Sequence, residues 1–105
     1  TKDVKLVHSR GRSFFSPFFV IKCIPRKDNG KRFTVVVSTK VSKKAVVRNR
    51  LKRVIRDYIR IHLARFMPGD YIISVRTQAV GKLALELRDG LEQLVFKTKL
   101  VVRDS

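Results

Sequence analysis

The first half of the chain contains two short segments of strand-forming residues, separated by a turn sequence. Residues 17–25 are aromatic, β-branched and bounded by prolines, which favours a strand over a helix. Asn29-Gly30 follows, a dipeptide that accepts positive φ at both central positions of a tight turn. Residues 32–38 are again β-rich and alternate between two faces. The pattern predicts an antiparallel hairpin with one packed face and one partly polar face that can serve a ligand.

The spacing of hydrophobic residues changes after Ser42 to every third or fourth position. This period predicts one long amphipathic helix, which Pro68-Gly69 ends. Residues 70–76 then regain strand character, so a β-α-β unit is expected. The apolar positions of the helix are Val47, Leu51, Val54, Ile55, Tyr58, Ile59, His62, Leu63 and Phe66.

A second helix is predicted near the end of the chain, weakened by Gly90, which costs roughly 1 kcal/mol relative to alanine. Its proposed core face consists of Leu83, Leu87, Leu91, Leu94 and Val95. Residues 4–15 show too little periodicity to define an element, and a short helix ending near Gly11 is compatible with them. Phe14 and Phe15 fit either a core or an exposed contact.

Length and composition favour one domain spanning residues 1–105. The chain is 44% hydrophobic, which is enough for a single core. No apolar run approaches the ~20 residues of a membrane span, and the opening lacks the pattern of a signal peptide. Cys23, the single cysteine, cannot form an intramolecular disulfide and is expected to be a small buried residue. We expect a cytoplasmic protein without membrane contact.

Charge is the feature that points to a partner. Lysine and arginine number 25 against 8 acidic residues, a formal net charge of +17. The basic residues are densest over residues 40–60, where Asp57 is the only acid. On a helical wheel Asn49, Arg53, Arg56 and Arg60 lie opposite the apolar face, and Arg48 and Lys52 lie at its edge.

Such a cationic surface favours a nucleic-acid backbone. Guanidinium groups bind phosphates bidentately, ammonium groups attract them as point charges, and each neutralised phosphate releases counterions. A solvated charged helix is the simpler alternative. A membrane-surface helix is disfavoured because the apolar face is needed for the domain core.

Residues 43–56 resemble the signature of the protein subunit of bacterial ribonuclease P, whose namesake element is Arg48-Asn49-Arg50. The resemblance continues in order through Gly11, a strand containing Phe19-Val20, and Gly69-Asp70. It implies an α+β fold, an α/β sandwich of ribosomal-protein-like type. In that fold the helices lie on a small mixed sheet that contains a hairpin and a left-handed β-α-β crossover, an exception to the usual handedness.

The resemblance also implies a role beside a catalytic RNA. The family binds the ribonuclease P RNA, and together they remove the 5′ leader from precursor tRNA. Catalysis then resides in the RNA, with Mg²⁺ held mainly by RNA at the scissile phosphate. The protein is expected to be monomeric in the holoenzyme and to supply no catalytic residue and no metal ligand.

Two sets of site residues follow from the resemblance. Contacts to RNA are expected from Lys40, Lys44, Arg48, Asn49, Arg50, Lys52, Arg53, Arg56 and Arg60. A cleft for the single-stranded leader is expected to contain His8, Phe18, Val20, Lys22, Lys40, Arg48, Asn49 and Lys52.

The chain departs from the family at aromatic positions of this cleft. Val4 and His8 stand where phenylalanines are usual, and Lys22 replaces the usual aromatic of the first strand. Single-stranded RNA is commonly held by aromatic stacking and a cationic groove. Phe18, expected on the same side of the strand as Lys22, either supplies a displaced stacking surface or belongs to the core. Lys43 and Val41 replace a glycine and a lysine before the helix.

Two other functions are alternatives to this one. A ribosomal or general RNA-binding protein fits the size and charge equally well. A nuclease acting without RNA is disfavoured, because the acidic residues are scattered and lack the cluster that a two-metal site needs. His8 and His62 stand without nearby cysteines or a carboxylate cluster, and His62 is expected to be packed.

Overall fold

The computed structural model describes residues 12–98, which form four strands and two long helices. The elements in chain order are β1 (Arg12–Phe15), β2 (Phe19–Pro25), β3 (Lys31–Val36), α1 (Ala45–His62), β4 (Gly69–Val75) and α2 (Ala84–Lys97). Short 3₁₀ turns at Leu63–Arg65 and Thr77–Ala79 follow α1 and β4. The predicted short helix before Gly11 falls outside the described residues.

The sheet has the order β1-β2-β4-β3 and is mixed. β4 pairs antiparallel with β2 and parallel with β3. The α+β class and the β3-α1-β4 unit are therefore confirmed, and the left-handedness of that crossover stays a prediction from the resemblance.

The hairpin predicted between residues 17–25 and 32–38 is wrong, because β4 lies between the two strands. Of the dipeptide Asn29-Gly30, only Asn29 has positive φ, whereas the tight hairpin turn requires it at both positions. The loop instead bonds to the start of β4, where Gly69 N–H donates to the Gly30 carbonyl over 3.0 Å. Side-chain bonds from Arg26 to Asp28 and Asp70 hold this loop, and the guanidinium keeps the pKa of the Asp28 carboxyl well below its usual range.

The hairpin of the sheet is formed by β1 and β2, with Phe15 opposite Val20. Its turn is closed at Ser16, whose N–H donates to the Phe19 carbonyl over 2.9 Å. The Ser16 hydroxyl oxygen accepts the Phe19 N–H over 3.1 Å. Strand β1 was missed because it is a four-residue edge strand whose residues are mostly exposed, so it carries little hydrophobic periodicity.

The core lies between one face of the sheet and the two helices. Alternate residues of the central strands, such as Ile21 and Ile73, point into it and are at most 1% exposed. The helices add the apolar positions that their periodicity predicts, including Leu51, Ile55 and Leu91. Two predicted positions are exceptions: Leu83 precedes α2 and is 65% exposed, and Leu63 follows α1 and is 44% exposed.

One end of the sheet gathers the termini of all four strands beside the start of α1. Pairings of Phe15 with Val20, Phe19 with Val75 and Val36 with Ser74 place these strand ends at the same level. We call this the helix-entry end, since the chain leaves β3 there to begin α1. No helix within residues 12–98 is both long and apolar enough to cross a membrane.

Candidate RNA-binding site

The first turns of α1 concentrate positive charge at the helix-entry end. No acidic residue lies in the first turn, and the cap residue Lys44 makes no side-chain capping bond. Arg48 and Arg50 lie in the first two turns of the helix. The positive end of the helix dipole therefore adds to the basic side chains, an arrangement that attracts anions.

Exposure along α1 confirms the two-sided helix that the wheel predicts. Leu51, Ile55 and Tyr58 are at most 3% exposed on the core side. The opposite side carries an exposed row, which we call the basic row, consisting of Asn49, Arg53, Arg56 and Arg60. Asn49, Arg53 and Arg56 also line an open depression together with Lys52 and Asp57.

Backbone carbonyls orient the two arginines of the Arg-Asn-Arg element. The Arg48 guanidinium donates to the Ser42 carbonyl over 2.8 Å, which folds the preceding loop against the helix. Arg50 donates to the carbonyl of Lys82 over 3.0 Å and so links α1 to the segment after β4. Lys40 and Lys44 are exposed in the same loop region. Four of the expected RNA contacts thus lie near the start of α1, and Arg53, Arg56 and Arg60 follow along the basic row.

The second face of the sheet carries the expected leader residues of β2. Val20 and Lys22 alternate with the buried Phe19 and Ile21, so both point away from the helices. Lys22 pairs with Ile72 of β4. Ile72 is 1% exposed but does not belong to the core cluster, which agrees with its position on the second face of the sheet. Val20 and Lys22 are half-buried on this face. His8, the other expected leader contact on this side, lies outside the described residues.

Phe18 does not share that face, and the expectation that it does is wrong. The chain turns before β2 begins at Phe19, so the strand alternation does not extend back to Phe18. Its ring packs at the surface of α2, where a Cβ on Gly90 would lie 3.0 Å from the ring. It is also edge-on to Phe19, with ring centroids 6.2 Å apart. Gly90 therefore weakens the helix but allows this close packing.

The structure also separates residues that the sequence left unresolved. Phe14 packs against the core, whereas its neighbour Phe15 is 66% exposed. Lys82 contributes to the site because its backbone carbonyl accepts the hydrogen bond from Arg50, which is 32 residues away in sequence. No local pattern marks Lys82 as a site residue, because tertiary packing brings its carbonyl to Arg50.

Three other titratable groups among residues 12–98 have packed surroundings. His62 is half-buried, with its ring centroid 4.4 Å from that of Tyr58. Burial raises the pKa of the Cys23 thiol, which is buried as expected. Burial raises the pKa of the Tyr58 hydroxyl, and the hydrogen bond from this hydroxyl to Glu92 raises it further. Residues 12–98 contain no group of three or more His, Cys, Asp or Glu placed to hold a metal ion.

Comparison with known proteins identifies the family. The family model described as Ribonuclease P matches residues 1–99. The chain belongs to the ribonuclease P protein family. Members of this family are RNA-binding components of a tRNA-processing ribonucleoprotein, so a ribonuclease P RNA is the partner that membership implies.

Individual relatives agree with this assignment. The chain is 37% identical to the ribonuclease P protein component of Rippkaea orientalis, over 95% of this chain and 84% of the relative. It is 34% identical to that of Carboxydothermus hydrogenoformans, over 97% and 87%. The solved ribonuclease P protein of Staphylococcus aureus superposes with a TM-score of 0.89 at 26% identity, covering 96% of this chain and 93% of that one.

Proposed function

We propose that this protein binds the catalytic RNA of ribonuclease P, stabilises its active form and helps it remove the 5′ leader from precursor tRNA. The observation that carries this is the basic row of α1, a line of exposed arginines on a helix whose opposite side is fixed in the core. Anchoring of the helix in the core fixes the positions from which the arginine side chains extend, which lowers the entropy lost when they contact phosphates. Family membership supplies the RNA partner.

We assign hydrolysis to the RNA and its Mg²⁺ ions. Magnesium binds through carboxylates, phosphates and water in near-octahedral geometry. The carboxylates of Asp28 and Asp70 pair with Arg26, and that of Glu92 accepts the Tyr58 hydroxyl. These residues do not fit a magnesium site on the protein, so they take no part in the hydrolysis. The protein's contribution is to position phosphates and offset their repulsion, as a monomer in a cytoplasmic holoenzyme.

The second face of the sheet is the proposed path of the leader. Val20 supplies an apolar surface and Lys22 a cation at the centre of that face. Lys40, Arg48, Asn49 and Lys52, at or next to the helix-entry end, extend this path toward the catalytic RNA, with His8 a further predicted contact. Because Lys22 is the cation placed on β2 itself, it is the residue that tests the path.

Lys22→Ala is expected to weaken binding of precursor tRNA with a long leader about fivefold, since one charged phosphate contact contributes about 1 kcal/mol. Affinity for mature tRNA, which has no leader, should change less than twofold. The measurement is a pair of titrations of the reconstituted holoenzyme with the two RNAs. Lys27→Ala, an exposed lysine at the opposite end of the sheet, is the charge-matched control. Equal losses for both RNAs would show that Lys22 does not contact the leader.

A further inference from the structure

A small cavity lies between the β1–β2 turn and α2. Its volume is about 210 Å³, and its walls include Phe15, Phe18, Gly90, Gln93, Leu94 and Lys97. The ribonuclease P resemblance assigns only Phe18 among these, and that assignment placed it on a different face.

The cavity presents aromatic surface to solvent. The side chain of Phe15 is 66% exposed, which is a large apolar area to leave uncovered on a small domain. Phe18 forms the inner wall, because the missing side chain at Gly90 lets its ring approach α2. The closed turn at Ser16 fixes the backbone from which both rings extend. Both aromatic residues are therefore placed by an ordered turn.

Cations and one amide border this aromatic surface. Lys97 lines the cavity, and the Lys82 ammonium lies 5.7 Å from the centre of the Phe18 ring. The Arg76 guanidinium donates to the Ser16 carbonyl over 3.1 Å, beside the turn. Gln93 is exposed at the rim and offers both a donor and an acceptor. An aromatic ring, an amide and a lysine are the groups that bind a base and its phosphate.

The cavity is continuous with the proposed RNA surface. Phe15 is the last residue of β1 and pairs with Val20, so it stands where the face that carries Val20 and Lys22 meets the β1–β2 turn that borders the cavity. On the other side, the Lys82 side chain reaches Phe18 while the Lys82 carbonyl accepts the bond from Arg50. One RNA strand at the helix-entry end can therefore touch both the leader path and this cavity.

We propose that the cavity binds one unpaired nucleotide of RNA. Its base stacks on Phe15, the Gln93 amide hydrogen-bonds the base edge, and Lys97 contacts the phosphate. The net charge of +17 favours a polyanion over an apolar peptide as the occupant. The inference rests on the proposed RNA-binding function. The precursor leader and the catalytic RNA both offer this chemistry, and the experiment distinguishes them.

The direct test is Phe15→Trp. The chain contains no tryptophan, so the variant has a single indole whose emission reports stacking of a base on it. We expect its emission to be quenched as single-stranded hexanucleotide RNA saturates the protein, and to stay unchanged with hexanucleotides of abasic sugar-phosphate. Quenching of the holoenzyme signal by precursor tRNA with a leader, but not by mature tRNA, assigns the site to the leader. Quenching by the catalytic RNA alone assigns it to that RNA.

A second measurement gives the energetic effect. Phe15→Ala should weaken single-stranded RNA binding about tenfold, because stacking of one base on an aromatic ring contributes ~1–3 kcal/mol. Phe15→Tyr should retain the affinity. Leu85→Ala, which removes an apolar side chain that is 67% exposed elsewhere on α2, should change it less than twofold. All of these positions are exposed, so the fold should persist.

Two outcomes would overturn the inference in different ways. If RNA labelled for anisotropy binds the Phe15→Trp protein with unchanged indole emission for every RNA, the nucleotide site is wrong and the proposed function stands. If wild-type protein binds neither the catalytic RNA nor the hexanucleotide, both the nucleotide site and the proposed function are wrong.

Discussion

Replacing Arg53 and Arg56 together by alanine will weaken binding of the catalytic RNA roughly tenfold to a hundredfold at low salt. Both guanidinium groups are exposed on the basic row, and their α-helix is anchored by the buried residues Leu51 and Ile55. Each lost phosphate contact also removes counterion release. For the two substitutions together, the slope of log K against log salt should become shallower by roughly 1.5. A filter-binding titration at several salt concentrations measures both quantities.

A charge-matched control separates local contacts from overall attraction. The variant Lys27→Ala/Arg88→Ala removes two exposed positive charges outside the basic row and leaves α1 intact. Its affinity should fall less than threefold, with little change in the salt slope. Equal effects of the two double variants would mean that the RNA is attracted by net charge alone. The claim that the basic row contacts the RNA would then be wrong.

Leu87→Ala is expected to lower the free energy of unfolding by about 2–5 kcal/mol, the cost of removing a buried leucine side chain and leaving a cavity. Leu87 is 0% exposed and belongs to the core cluster between α2 and the sheet. For a domain of this size the midpoint of thermal unfolding should fall by at least about 10 °C. Urea and thermal unfolding followed by circular dichroism measure the change.

Leu85→Ala is the matched control for that substitution, because it makes the same change two residues earlier in the same helix. Leu85 is 67% exposed, so its loss should alter stability by no more than about 0.5 kcal/mol. Leu87→Ala should still bind RNA with nearly wild-type affinity well below its unfolding midpoint. Similar destabilisation by both variants would contradict the packing of α2 described here.

The helices were predictable because their apolar period is a local property. Leu51, Ile55 and Tyr58 recur on one side of α1, and that period alone placed Arg53 and Arg56 on the outside. The confirmed side of the helix therefore required no tertiary information. The error at Leu83 arose at the end of the pattern, where the residue lies just before the helix and is 65% exposed.

Strand pairing was not predictable in the same way. Asn29-Gly30 is a strong local turn signal, but β2 and β3 both pair with β4, a strand more than thirty residues further along the chain. Similarly, Phe18 left its expected face because the Ser16 turn interrupts the alternation before β2. The Arg50–Lys82 bond and the exposure of Phe15 also depend on long-range packing, so local sequence does not reveal them.

Cleavage of precursor tRNA at low Mg²⁺ tests the central claim most directly. A bacterial ribonuclease P RNA would be assayed with and without this protein, on precursor tRNAs with a long leader and with a single-nucleotide leader. We expect the protein to accelerate correct 5′ cleavage of both substrates and to favour the long leader. Binding to RNA with no change in cleavage rate or leader preference would contradict this account and indicate a general RNA-binding or ribosomal protein instead.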